Sequence, residues 1–213
     1  MKREIERYME LMKERPEEFV NSGMIEIEKD PEKIALAAEK LDRSVGVVYE
    51  SQYHLMVVDV CIGNNGYYTY ERILPKVRKN AVVILLQAGD CFVLLKQYRH
   101  ALRDWQYSFS RGFADEHLSV EENAIKELTE ETGCQIQSIR YLGTTVADSG
   151  LAGTKVSVFH AVGSDPSVKY GNEGISGITF LSLDEIKKWI KSGKITDGFT
   201  LSAMMMYLTY SHD

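Results

Sequence analysis

Three glutamates, Glu127, Glu130 and Glu131, are spaced so that a helix would carry all of them on one side. Residues three or four positions apart are neighbours on a helix surface, and like charges there cost about 0.2–0.5 kcal/mol per pair. Hard divalent cations, Mg²⁺ above all, are bound by carboxylates together with substrate phosphates. The spacing therefore points to metal-assisted phosphate chemistry, although a solvated acidic helix face would contain the same residues.

The sequence signals both ends of the helix that carries these glutamates. Ser119 followed by Glu122 is a capping-box pattern and Gly133 is a typical C-terminal stop, so we predict a helix over residues 120–132. The glutamates then fall in its last turn, where the helix dipole is negative and a basic residue would be more stable. We therefore expect a positive group to relieve the repulsion.

The residues around the glutamates resemble the Nudix box, the loop–helix motif of a family that hydrolyses nucleoside diphosphates linked to another moiety. The positions that match it without a gap are Gly112, Glu127, Leu128, Glu130, Glu131 and Gly133. So many positions in one register favour this family over an ordinary acidic helix. The resemblance covers roughly residues 81–210 and is strongest within the box.

Two positions depart from the Nudix box. Leu118 stands where the family usually has a glutamate, and Lys126 stands where it usually has an arginine. In the family these two residues are usually described as an ion pair that braces the loop against the helix. We expect Leu118 to brace the loop by burial instead, which is worth about 1.5–3 kcal/mol for a fully buried side chain. The alternative is a loosened loop and a weaker enzyme.

The resemblance implies a metal site. Glu127 and Glu131, assisted by Glu130, are expected to hold Mg²⁺, for which Mn²⁺ could substitute. The backbone carbonyl of Arg111 is a further candidate ligand. Such a cation would neutralise the diphosphate and activate the attacking water.

The general base stays open between two glutamates. Glu173 ranks slightly ahead of Glu130, because Glu130 is expected to be engaged with metal. Related enzymes often carry a glutamate where this chain has Gly171, so within that loop only Glu173 can take the role.

The segment Lys96-Gln97-Tyr98-Arg99 and the β-hairpin region ahead of it resemble the ADP-ribose pyrophosphatase branch, whose members commonly dimerise through their N-terminal part. This implies a homodimer that hydrolyses an ADP-ribose-like nucleoside diphosphate sugar. The alternative substrates are another nucleotide sugar and a dinucleotide. The alternative function is a nucleotide sensor with little turnover.

Arg99 and Arg72 are the candidates for substrate contact, because a guanidinium can bind phosphate through two hydrogen bonds. An ordinary ion pair is the competing interpretation for both. One of several tyrosines could stack the base, although packing along strands is a more frequent use of tyrosine. The tyrosines considered are Tyr49, Tyr53, Tyr67, Tyr68 and Tyr70.

Composition limits the other classes of function. The chain has 213 residues, 44% of them hydrophobic, which is enough for one sizeable core and a smaller appended region. A net charge of −6 disfavours a non-specific binder of nucleic acid or anionic membrane. The charged N-terminus and the lack of an apolar run of about 18 residues lead us to expect a cytoplasmic protein.

The pattern of elements predicts an α+β protein with a mixed sheet covered by helices, preceded by two N-terminal helices and a β-hairpin region. The resemblance implies that this sheet and its helices form a Nudix-type α/β/α sandwich. The expected domains are 1–45, helical; 46–80, a β region for dimerisation and substrate; and 81–213, the hydrolase domain. A hairpin is predicted around residues 63–66, one strand near 105–110, and another over 139–146.

Overall fold

The computed structural model describes residues 2–167 and 174–210, and the chain forms two compact units. The first contains the chain up to Lys76 together with Asp148–Thr154. The second contains Val77–Ala147 and the chain from Lys155 onward. The predicted domain boundaries after residues 45 and 80 stay predictions.

The first unit begins with the two predicted N-terminal helices, α1 (Arg3–Glu14) and α2 (Pro31–Leu41), and a 3-10 turn at Pro16–Phe19 lies between them. Helix α2 begins after Asp30, whose side chain accepts hydrogen bonds from the backbone N–H groups of Glu32 and Lys33. This cap satisfies donors that the first helical turn would otherwise leave unpaired. The prediction of two helices is confirmed.

The first unit also contains a four-stranded antiparallel sheet. Its strands are β1 (Glu26–Ile27), β2 (Gly46–Glu50), β3 (His54–Gly63) and β4 (Gly66–Pro75). Strands β3 and β4 form the predicted hairpin, paired from His54 with Pro75 to Gly63 with Gly66. Strands β1 and β2 pair with the other edge of β3. The core of this unit joins the apolar side of α1 to that of β3.

The second unit is built on a seven-stranded mixed sheet. Its strands are β5 (Ala81–Ala88), β6 (Cys91–Arg99), β7 (Asp104–Ser108), β8 (Ser110–Gly112), β9 (Gln135–Thr145), β10 (Val156–Ser164) and β11 (Ile175–Leu181). Five of them lie in the order β11-β6-β5-β10-β9, while β7 pairs with β6 and β8 with β5. Strand β10 runs parallel to β5, and the other pairs are antiparallel.

Helices cover both faces of this sheet. Helix α3 (Val120–Thr132) packs on one face, where Val82 and Ile84 of β5 point. Helices α4 (Leu183–Lys191) and α5 (Gly198–Tyr210) pack on the other, where Val83 and Leu85 point. Alternate residues of a strand face opposite sides, so one strand contributes to both cores. The predicted α/β/α sandwich with a mixed sheet is confirmed.

Two strands differ from their predicted bounds. The single strand expected near 105–110 is interrupted at the buried Phe109, because β7 pairs with β6 and β8 pairs with β5. Strand β9 begins at Gln135 rather than near Ile139, and its early residues pair with the end of β10 through a register shift. Both differences come from how these strands pair with their partners in the sheet, which the local sequence does not reveal.

The longest helices of the second unit, α3 and α5, have 13 residues each. Within residues 2–167 and 174–210, no helix combines the length and the apolar character needed to cross a bilayer.

Candidate active site

Helix α3 is capped as the sequence predicts. The Ser119 hydroxyl accepts a hydrogen bond from the Glu122 N–H at 3.2 Å, and the Glu122 carboxylate accepts one from the Ser119 N–H at 2.8 Å. Hydrogen bonds to the Glu122 carboxylate from the Ser119 hydroxyl and then from the Ser119 N–H lower the pKa of Glu122. Gly133 ends the helix with a left-handed φ of 59°. The helix therefore spans Val120–Thr132 as predicted, and its last turn contains no basic residue.

The three glutamates of this helix have different environments. Glu131 is buried, Glu127 is partly buried and Glu130 is exposed. The hydroxyl of Ser110, in β8, donates a hydrogen bond to Glu131 Oε2. The side chain of Glu127 lies against Gly112, two residues further along the same strand. The structure therefore brings Glu127 and Glu131 together beside β8, whereas Glu130 lies at the surface.

Gly112 is explained by close packing rather than by a turn. A Cβ atom built on Gly112 would overlap the terminal carbons and Oε1 of Glu127. Any larger residue would have to displace either the glutamate or the strand, because such contacts lie below van der Waals separation. A strand glycine at such a position marks a close approach, here that of the Glu127 side chain.

The chemistry of this pair fits a hard cation. Among the residues that the structure describes, no three His, Cys, Asp or Glu side chains are arranged as a metal site. Mg²⁺, however, is commonly held by one or two carboxylates, with substrate phosphates and water completing its shell. Glu127 and Glu131 supply such a pair. The larger ligand set, with Glu130 and the Arg111 carbonyl, stays a prediction.

The side chain of Arg111 has a structural partner. Its Nη1 donates to Asp197 Oδ2 at 3.1 Å, and its guanidinium carbon lies 5.4 Å from the centre of the Phe199 ring. Asp197 lies just before α5 and also accepts hydrogen bonds from the N–H and hydroxyl of Thr200, at 2.9 and 2.8 Å. The ion pair thus ties β8 to the beginning of α5.

Arg99 lies on the same face of the sheet as helix α3. It ends β6, and strand alternation places it on the side of Val93, which belongs to the α3 core. Its Nη2 donates to the hydroxyl of Ser108 at 3.3 Å. Ser108 and Ser110 were not recognised from the sequence as site residues. Strand periodicity places residues two apart on one face, but their partners are distant in the chain.

Arg72 belongs to the first unit, where it forms a close ion pair. Its Nε and Nη2 donate to the two carboxylate oxygens of Asp59 at 2.6 and 3.0 Å, and its Nη1 donates to the Glu18 carbonyl at 3.0 Å. Burial alone would lower the pKa of Arg72, but the hydrogen bonds and charge of Asp59 raise it. The competing ion-pair interpretation thus describes its contacts, and a substrate role stays a prediction.

The candidate tyrosines of the first unit fall into two groups. Tyr67 donates a hydrogen bond to Glu28 at 2.8 Å, and Tyr70 donates one to the Gly150 carbonyl at 2.7 Å. The others, Tyr49, Tyr53 and Tyr68, are exposed. Stacking of a base by one of them stays a prediction.

The loop over residues 113–118 is not held by full burial of Leu118, which is only partly buried. Whether its partial burial braces the loop stays a prediction. Lys79 also holds the loop, because it donates from Nζ to the carbonyls of Glu116 and Leu118, each at 2.7 Å. An ammonium group that bridges two carbonyls can hold a loop without an acidic side chain at residue 118.

Two further contacts hold the beginning of this loop to α3. Lys126 forms an ion pair with Asp115 at 3.2 Å. The acidic partner of the basic residue at position 126 is therefore residue 115, whereas the family usually has it at the position of residue 118. The pKa of Asp115 is lowered, first by the hydrogen bond from the His117 N–H and second by the hydrogen bond from Lys126. Asn123, which is buried, donates from Nδ2 to the Phe113 carbonyl at 2.8 Å. The coupled change at Leu118 and Lys126 thus keeps a polar brace.

We expect Lys79→Met to loosen the loop over 113–118. The change removes two charge-assisted hydrogen bonds but keeps most of the apolar stem, so cleavage of native protein by a broad-specificity protease should accelerate there. Peptide mapping by mass spectrometry would locate the cut. Lys187→Met removes an exposed lysine that pairs with Asp184 at 3.3 Å, one turn away in α4, and serves as the matched control. Identical digestion of both variants would contradict the proposed brace.

The preferred general base, Glu173, and the neighbouring Gly171 lie outside the described residues. The other candidate, Glu130, is exposed one turn from Glu127. The choice between them stays open.

Comparison with known proteins agrees with this fold. The family model for the NUDIX domain matches residues 76–199, more than half of the chain. The chain belongs to the Nudix family, as the box predicts.

One curated relative is the ADP compounds hydrolase NudE of Escherichia coli (strain K12), 28% identical over 116 residues. The match covers 54% of this chain and 62% of that protein. A solved crystal structure of an ADP compounds hydrolase has the same fold, with a TM-score of 0.66 and 21% identity over 78% of this chain and 91% of that one.

Proposed function

We propose that this protein is a Mg²⁺-dependent hydrolase of an ADP-ribose-like nucleoside diphosphate sugar, with a nucleoside monophosphate and a sugar phosphate as products. The observation that carries the proposal is the placement of Glu127 and Glu131 beside Gly112 and Ser110 of β8 in a Nudix chain. The name of the Escherichia coli relative, ADP compounds hydrolase, supports the substrate class.

Each residue has a role in this proposal. Glu127 and Glu131 would hold the cation, and Ser110 keeps the Glu131 carboxylate in place. When bound, Mg²⁺ neutralises the diphosphate charge and lowers the pKa of the attacking water. Arg99 would bind a phosphate of the substrate, because its guanidinium lies on the same face of the sheet as α3.

The reaction breaks the bridge between the two phosphates. A water oxygen bonds to one phosphorus, the bond from that phosphorus to the bridging oxygen breaks, and the other phosphate leaves with the electron pair. A carboxylate accepts the proton from water. Glu173 and Glu130 are the candidates, and the base must come within hydrogen-bond reach of that water.

The test is a substrate panel with the purified chain. ADP-ribose, other nucleoside diphosphate sugars and a dinucleotide are incubated with Mg²⁺, and added phosphatase releases phosphate only from cleaved products. We expect ADP-ribose to be hydrolysed fastest, activity to vanish in excess chelator, and added Mg²⁺ or Mn²⁺ to restore it. A rate that chelator leaves unchanged would contradict the metal site.

The panel also separates the alternatives. Fastest cleavage of another nucleotide sugar or of the dinucleotide would keep the chemistry and change the substrate. Tight nucleotide binding with no turnover anywhere would replace the enzyme by a sensor. The homodimer implied by the resemblance and the cytoplasmic location expected from the sequence both stay predictions. Sedimentation velocity tests the dimer.

A further inference from the structure

Two buried serines lie where the chain passes from β7 to β8. Ser108 is 0% exposed and Ser110 is 2% exposed. Ser108 accepts a hydrogen bond from Arg99, and Ser110 donates one to Glu131. Serines two residues apart therefore contact an arginine proposed to bind substrate and a glutamate proposed to hold metal.

The same segment is anchored on its other face. The N–H of the intervening Phe109 donates to the Thr200 hydroxyl at 3.1 Å, and that hydroxyl donates to Asp197 at 2.8 Å. Asp197 also accepts the hydrogen bond from Arg111, the residue after Ser110. Residues on both sides of Ser110 are thus held by one partly buried network, which limits how far the serine can shift.

The chemistry of a serine hydroxyl suits such a role. A hydroxyl donates one hydrogen and accepts through its oxygen. Ser110 gives its hydrogen to a carboxylate, and Ser108 offers its oxygen to a guanidinium, so both bonds are charge-assisted. Each fixes one atom of a side chain that otherwise has several rotatable bonds. Neither serine needs to touch a reacting atom to have this effect.

We propose that Ser110 and Ser108 are positioning residues, Ser110 for the Glu131 carboxylate and Ser108 for the Arg99 guanidinium. This inference rests on the proposed function for the roles of Glu131 and Arg99. It adds that one short segment sets both parts of the site, and that the two serines have separable effects. Loss of Ser110 impairs cation binding, while loss of Ser108 impairs substrate binding.

The first experiment measures Mn²⁺ binding directly, without substrate, from the electron paramagnetic resonance signal of the free ion. We expect Ser110→Ala to weaken binding about tenfold or more, the usual effect of removing a group that orients a metal ligand. Ser157→Ala is the matched control, because Ser157 is a buried serine of the same sheet whose hydroxyl contacts Asn80 at 3.1 Å. Its Mn²⁺ affinity should equal that of the parent.

An isosteric pair separates the hydroxyl from its volume. Ser110→Thr keeps the hydroxyl donor, whereas Ser110→Val has a methyl group in its place. Both side chains have nearly the same volume, so both disturb the packing around residue 110 to the same extent. We expect the threonine variant to bind Mn²⁺ more tightly than the valine variant. This pair keeps the test valid if Ser110→Ala fails to fold, as judged by circular dichroism.

The second experiment compares kinetic constants with ADP-ribose. Ser108→Ala should raise KM while its Mn²⁺ affinity stays at the parental value, whereas Ser110→Ala should raise the Mg²⁺ concentration needed for half-maximal rate. A change in both quantities in both variants would indicate a general packing defect and would overturn the inference. Equal Mn²⁺ affinity of the parent and Ser110→Ala, or of the threonine and valine variants, would overturn the inference and leave the proposed function intact. Absence of Mn²⁺ binding by the parent would instead overturn the proposed function itself.

Discussion

Glu131→Gln is expected to reduce turnover at least about 100-fold, because a bound cation contributes several kcal/mol to the transition state and each 1.4 kcal/mol is a factor of ten. Glutamine has nearly the shape of glutamate and can still accept the hydrogen bond from Ser110. It lacks the negative charge with which a carboxylate attracts a hard cation. Turnover with ADP-ribose and saturating Mg²⁺ measures the loss.

The fold should survive this substitution. Glu131 is buried, and a buried charge costs more than a buried amide that keeps its hydrogen bond. The thermal midpoint without added metal should therefore equal or exceed that of the parent. Glu121→Gln changes an exposed glutamate in the first turn of the same helix and is the matched control, with parental turnover expected. If Glu131→Gln kept the parental turnover, the proposed role of Glu131 as a metal ligand would be contradicted.

Local signals were sufficient to predict the helix that carries the site. The capping box at Ser119 and the left-handed Gly133 act within a few residues of the chain, so the bounds of α3 can be predicted from sequence. The hairpin of β3 and β4 is similar, because its turn and both strands are consecutive. Features fixed by neighbours along the chain are the ones that sequence reveals.

The sequence also predicts part of the difference between the environments of the three glutamates. Ala124 and Leu128 are buried, and Glu131 continues their stripe at the spacing of a helix, whereas Glu130 does not. Helical periodicity alone therefore indicates that Glu131 faces the sheet. Its partner Ser110 lies 21 residues away in sequence, and no local pattern pairs them.

The distinction between local and distant partners also explains which contacts of Arg72 and of the loop over 113–118 could be predicted. Asp59 lies diagonally across the hairpin from Arg72, because Val57 is the residue directly opposite it, so the ion pair follows once the register is known. Lys79, in contrast, reaches the carbonyls of Glu116 and Leu118 from a segment almost 40 residues earlier. A backbone carbonyl leaves no mark in the sequence, and this brace could not be predicted.

Gly112→Ala is expected to damage the site through a residue that has no side chain. The added methyl would occupy the position of the Glu127 carboxyl group, and overpacking of this kind costs about 1–3 kcal/mol of stability. Displacing a positioned group by about 1 Å can cost roughly 100-fold in rate. We therefore expect a lower denaturation midpoint and a loss of turnover of that order, measured by chemical unfolding and by hydrolysis of ADP-ribose.

Two further variants identify the overlap as the cause. Gly177→Ala introduces the same methyl in β11, where no atom of the described residues beyond its chain neighbours lies within 4 Å of the new position. It should leave stability and turnover near the parental values. In the background of Glu127→Ala, whose shortened side chain leaves room for a methyl, Gly112→Ala should cost much less stability than it does alone. Such non-additivity is the mark of two residues in direct contact. If the two substitutions instead added, Gly112 would be required for the conformation of β8 and not for the placement of the Glu127 carboxylate.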